Sequence, residues 1–230
     1  MSGNNVNQRS GENCLIRIKG RKTERNMLSF CLLWLMNIHE ITKEQRRVEL
    51  NSTELAKYGI AATRSHKCKF IGVFPADQIP KKHELFRYSL PFCYIVNTDP
   101  ASEPGEHWVT VYHANGGVVE FFDSYGNNYD YYSNLQFDVY PTKFNTVSLQ
   151  SPGAYVCGHY CLYFILKRSR GTDFYSISRN LVCEFNSNKS KIDNFIVAFV
   201  CANIMMCSIS KKIECRCPSV VQCCSARKQL

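Results

Sequence analysis

EHWVTVYHANGGVVEFFD, residues 106–123, is the stretch on which the fold turns. From Trp108 to His113 apolar and polar side chains alternate with period two, the pattern of a β-strand. Asn115, Gly116 and Gly117 follow as a turn signal, because such residues accept the positive φ of tight hairpin loops. Residues 118–123 then read as the returning strand. The two strands of a hairpin run antiparallel, so the residue entering the first and the residue leaving the second meet at one edge. His107 stands at that entrance and Asp123 at that exit. The hairpin therefore brings an imidazole and a carboxylate together.

Upstream, residues 70–74 (FIGVF, ending at Pro75) and 92–97 (FCYIVN) are further strand candidates. Downstream, residues 125–140 are rich in Tyr, Asn and Asp and read as a loop or irregular helix. Residues 147–149 read as one more short strand, delivering Gln150. Then comes QSPGAYVCGHYCLYFIL, residues 150–166, in which a turn at Pro152 and Gly153 leads to a helix over 157–167. Cys161, Phe164 and Ile165 are expected on its buried face, with Lys167 and Arg168 suiting the C-terminal end of the dipole. Residues 27–55 and 193–206 read as further helices. The fold class expected is α+β, a small central mixed or antiparallel sheet packed by helices.

The chain has 230 residues, 45% of them hydrophobic, enough for a sizeable core and too many for global disorder. Its net charge of +9 is uneven: residues 1–66 carry 11 Lys/Arg against 6 acids, residues 67–166 carry 6 against 9, and residues 167–230 carry 11 against 4. A basic periphery fits non-specific DNA contact through phosphate neutralisation, and equally plain solubility. The 13 cysteines form no repeating framework, 5 fall from Cys207 onward, and the odd count leaves one unpaired in a monomer. A reduced, intracellular protein is expected. Residues 27–38 (MLSFCLLWLMNI) start late for a signal peptide, lack a small-residue cleavage site, and fall short of the roughly 20 residues of a membrane span. The organisation expected is a basic leader and N-terminal helix over 1–50, a catalytic domain over 51–207 and a Cys-rich basic tail over 208–230, in a monomer without membrane contact.

Cys157 stands where the apolar helix begins. A cysteine nucleophile reacts as thiolate, and a helix N-terminus and a neighbouring imidazolium both favour that form. His107 is the candidate base and later acid, Asp123 its orienting partner. Gln150 is the candidate oxyanion donor together with the Cys157 backbone N–H. Gly158 is expected to keep bulk away from an approaching carbonyl. Taken singly, each residue has a bland reading: a core thiol, a strand end, a turn aspartate. Their joint order is what points to acyl transfer onto a thiol, with a polypeptide as substrate.

These residues also carry a resemblance. The order in His107-Trp108, Phe122-Asp123 and Gln150 to Cys157-Gly158 resembles the cysteine-protease clan that holds adenovirus protease (adenain) and the SUMO-specific, ubiquitin-like-protein proteases. Residues 70–80 (FIGVFPADQIP), residues 95–98 (IVNT) and the seven-residue interval from Gln150 to Cys157 are similar to the adenain side. The resemblance covers about residues 55–167, and adenain-like proteases also occur in Polinton/Maverick DNA transposons. It implies a papain-like, circularly permuted fold and a cysteine endopeptidase processing viral or transposon structural proteins after small residues. It implies no required cofactor, DNA as a second activator, and a location in the nucleus or in a virion or capsid. Three departures stand out: Asp123 replaces the usual adenoviral Glu, the interval from Asp123 to Cys157 is short, and no cysteine lies between Cys93 and Cys157 to tether an activating peptide.

Two other readings stay open: a cellular protease removing SUMO- or NEDD8-type modifiers, and a non-catalytic basic derivative that binds DNA or protein. The adenain-like stretch 70–98 weighs against the first, and the intact four-part set against the second. His159 and His113 are rival imidazoles; His159 follows the thiol by two residues on one helix, where side chains diverge. Cys215, Cys217, Cys223 and Cys224 lack clean zinc spacing and a nearby histidine, so no metal is expected.

Overall fold

The computed structural model describes residues 49–205. The basic leader, residues 27–48 of the helix expected over 27–55, and the Cys-rich tail lie outside those residues. Helix α1, Ser52–Thr63, opens on a capping box: the Asn51 side chain accepts from the Glu54 N–H at 2.9 Å, and the Glu54 carboxylate accepts from the Asn51 N–H at 3.0 Å. The sequence reading ends a helix at 55, whereas the capping box starts one at 52. Strand β1, Lys69–Phe74, follows, then the short helix α2, Lys82–Leu85, and β2, Phe92–Asn97. The hairpin is β3, Trp108–His113, and β4, Val119–Phe122; β5 is Lys143–Phe144. Helices α3, Cys157–Ser169, α4, Phe174–Glu184, and α5, Lys189–Val200, complete the chain, α5 continuing as a π-turn over Cys201–Met205.

The five strands form one mixed sheet in chain order. β1 lies parallel to β2 and β4 parallel to β5, while β2–β3 and β3–β4 are antiparallel. The strand expected over 147–149 is not one. The Asn145 side chain occupies both backbone groups of Asp123, accepting from its N–H at 2.9 Å and donating to its carbonyl at 2.7 Å. Leu149 and Gln150 then both donate to a single carbonyl, that of Ser124. A side chain has replaced the ladder, and β5 pairs earlier in the chain instead, at Lys143–Phe144.

The sheet is buried on both faces, which is why β2 is buried throughout. Cys93, Ile95, Tyr112 and Phe122 pack against the helices, and Tyr94, Val96, Val109, Val111 and Phe121 against Leu135 and Phe137 on the other side. Such alternation follows from the period of two in a pleated strand. α3 runs through the helical layer and is buried all round from Cys157 to Leu166, not on one face as the sequence reading has it. α1, α5 and the sheet cover it from three sides. A central helix of this kind gives no amphipathic signal.

Candidate active site

The hairpin register pairs Thr110 with Phe122 and His113 with Val119, so His107 and Asp123 leave the sheet side by side. His107 Nε2 lies 2.6 Å from Asp123 Oδ1, with both residues buried. The Asp123 carboxylate accepts three further hydrogen bonds: the Tyr125 N–H on Oδ1 at 2.9 Å, the Asn127 N–H on Oδ2 at 2.9 Å, and the Tyr132 hydroxyl on Oδ2 at 2.8 Å. Two of these close the turn after β4, so Asp123 does turn chemistry and holds the imidazole at once. Gly126 makes that turn feasible: its φ is +78°, and a Cβ there would stand 2.7 Å from the Val147 carbonyl carbon. Tyr125 and Tyr132 also flank the imidazole, with ring centroids 4.8 and 6.0 Å away.

Cys157 is the first residue of α3, and its N-cap residue Val156 makes no side-chain capping bond. Both the Cys157 thiol and the Asp123 carboxylate act on the His107 ring. Burial works against the imidazolium, but the hydrogen bonds and charges of Asp123 and Cys157 outweigh it and lift the His107 pKa to about 9. The imidazole thus holds its proton at neutral pH next to a sulfur at a helix N-terminus. A cleft of about 750 Å³ opens over His107, lined in part by Glu106, Tyr125, Tyr131, Tyr132 and Tyr155.

Gln150 is buried beside this group but is fully engaged. Its Oε1 accepts from the Ser124 hydroxyl at 2.7 Å, and its Nε2 donates to the Tyr125 hydroxyl at 3.0 Å and to the Ala154 carbonyl. Because a carbonyl can only accept, Ala154 fixes which end of the amide is nitrogen. Burial, the largest cause, raises the Tyr125 pKa, so this phenol keeps its proton as well. Both amide hydrogens are in use until something displaces a partner. Gly158 differs from expectation. A Cβ there would meet Leu55 Cδ2 at 3.1 Å and Leu50 Cβ at 3.3 Å, so its smallness serves the packing of α1 on α3 and not the cleft.

His159 and His113 are held apart from the site. Burial lowers both to about 4, and each leaves one ring nitrogen without a partner among the described residues. His113 stacks on Phe92 at 4.3 Å, at the far end of the hairpin. Sequence reasoning missed Tyr125, Tyr132 and Asn145, which hold His107, Asp123 and Gln150, and it missed Asp193. Asp193 Oδ1 accepts from the Tyr160 hydroxyl at 2.9 Å and Oδ2 from the Ser151 N–H at 3.2 Å, tying the Gln150–Cys157 loop to α5 and α3. Only the Asp-Ser-Tyr-Gly run at 123–126 carried a signal for any of them, as an Asx-turn. Among the described residues no group of His, Cys, Asp or Glu could hold a metal ion, and no helix is long and apolar enough to cross a membrane.

No protein-family model matches the chain, and no curated protein matches it. Among solved structures, that of the ASFV pS273R protease aligns with it at 19% identity and a TM-score of 0.32, over 47% of this chain and 43% of that one. The chain thus spans less than half the length of that protein.

Proposed function

We propose that the chain is a cysteine endopeptidase in which Cys157 is the nucleophile, His107 the base and acid, and Asp123 the residue that orients His107. The observation that supports this most is the His107 ring held by Asp123 at 2.6 Å, with Cys157 acting on the same ring to favour its protonated form. The reacting form is the Cys157 thiolate with the proton held on His107, whose pKa is raised to about 9. The sulfur attacks the scissile carbonyl carbon, and the carbonyl oxygen takes up the electron pair. The first-turn N–H groups of α3, which the Val156 side chain does not cap, face that developing charge. Gln150 joins them by exchanging its Tyr125 or Ala154 acceptor for the oxyanion. His107 then gives its proton to the leaving amine, and water, deprotonated by the same imidazole, hydrolyses the thioester.

The finer reading rests on the sequence resemblance: an adenain-like, circularly permuted papain-type enzyme that processes viral or transposon structural proteins after glycine. A peptide library with glycine before the scissile bond tests it. Cleavage is expected, lost in Cys157→Ala and reduced about a hundredfold in Gln150→Ala, the usual cost of one oxyanion donor. Cleavage that survives Cys157→Ala would end the proposal.

A further inference from the structure

At the end of α3 away from Cys157, about 18 Å along the helix axis, lies a second pair of thiols. Cys93 in β2 stands opposite Phe70 in the register with β1. Cys68, two residues before Phe70, projects from the same face. The two sulfurs are 3.6 Å apart and neither is in a disulfide. The pair is unequal. Cys93 is fully enclosed, whereas Cys68 lines a cavity of about 560 Å³ together with His66, Lys67, Tyr112, Arg168 and Arg170. Among the described residues no Asp or Glu lines that cavity. Arg168 is paired with Glu120, at 2.7 and 2.9 Å, and Lys67 adds positive charge to the lining.

The electrostatics follow the same asymmetry. The Cys93 hydrogen bond holds the Cys68 thiol below its ordinary range despite burial, and Tyr112, Ser169 and Arg168 act in the same direction. Burial pushes the Cys93 thiol well up. The cavity thus offers the more acidic thiol to an incoming reagent and keeps the less acidic one behind it.

We propose that Cys68 and Cys93 form a second reactive site, at which Cys68 exchanges with a small anionic disulfide and Cys93 resolves the adduct. The Cys68 thiolate attacks one sulfur of the reagent, whose S–S bond breaks and releases one thiolate that takes up a proton. Cys93, after losing its own proton, attacks the Cys68 sulfur and expels the second thiol. The dithiol is oxidised by two electrons and the reagent reduced to two thiols. Closure brings the sulfurs from 3.6 Å to about 2.05 Å. The segment between α1 and β1, where Cys68 sits outside any strand, is the part that moves.

The test uses the full chain carrying Cys157→Ala, so its outcome is independent of the peptidase reading. Glutathione disulfide is added at limiting dose and the cysteines are mapped by mass spectrometry. The expected first product is the Cys68–Cys93 disulfide, ahead of any adduct on Cys183 or Cys201, which are more exposed. Adding Cys93→Ser should leave a glutathione adduct on Cys68. The neutral 2-hydroxyethyl disulfide should react at Cys68 about tenfold more slowly, as expected for a charged cavity. Modification of Cys183 or Cys201 with Cys68 untouched would overturn the site. An adduct on Cys68 that persists with Cys93 present would overturn the resolving role, and equal rates for the two reagents would overturn the anionic class.

Discussion

Asp123 is the residue on which the site geometry depends, because its two oxygens take hydrogen bonds from one imidazole, two backbone N–H groups and one phenol. Replacing it with Asn keeps the size but turns one acceptor into a donor and removes the charge that supports the imidazolium. Asp123→Asn should lower kcat/KM by about 10³- to 10⁴-fold, the cost of holding a histidine in the wrong tautomer. It should also move the pH profile. His107 loses its proton as pH rises through about 9, so the wild-type rate should fall on that side. The alkaline limb of Asp123→Asn should lie at lower pH, since the partner that holds the proton is gone. A limb that stays in place would show that the titrating group is not His107. Of these contacts only the His107–Asp123 pair was legible in the sequence, from hairpin geometry. Tyr132 and Asn145 reach Asp123 from 9 and 22 residues away, and no local pattern marks them.

Among the elements, β1 to β4 were legible because each is short, β-branched or aromatic, and bounded by Pro, Gly or Asn; β5, two residues long, was not. The helices were less so. α4 went unread, although Asp173 caps it, with its carboxylate accepting from the Ser176 N–H, and its buried Phe174, Ile177, Ser178 and Leu181 follow the helical period. The expected strand at 147–149 failed because Asn145 acts as a surrogate backbone, which no apolar pattern reveals. α3 was placed correctly by its start at Cys157, yet its all-round burial is a property of what covers it. Gly158 shows this most sharply. An added methyl at Gly158 would press on Leu55 and Leu50, so Gly158→Ala should destabilise the protein by about 1–3 kcal/mol, as overpacking does. Urea denaturation checks this: a midpoint equal to that of the wild type would mean that α1 and α3 are not packed as described.

For the whole molecule, three histidines set opposite limits on stability. His113 and His159 titrate near 4 when folded but near 6.5 when unfolded. Unfolding therefore takes up protons between those values, and stability falls as pH drops from about 6.5 to about 4. His107 is raised to about 9, so the stability it contributes is complete below about 6.5 and is lost as pH rises through about 9. The melting temperature should accordingly peak near pH 6.5, and His113→Phe should flatten the acid side. A peak unchanged in both position and slope would contradict the buried neutral state of His113. The α+β class and the mixed sheet were foreseen from the chain, whereas the second core behind the sheet, built on Leu135 and Phe137, was not, because residues 125–140 carry little regular structure to announce it.

The most direct measurement is the rate at which limiting chloroacetamide alkylates Cys157, followed by peptide mapping at neutral pH in the wild type and in His107→Ala. The account predicts that Cys157 reacts ahead of the other described cysteines in the wild type and that His107→Ala slows it by an order of magnitude or more, about the loss expected when a thiolate loses its imidazolium partner. Equal Cys157 rates in the two proteins would mean that the ring beside the sulfur does not activate it.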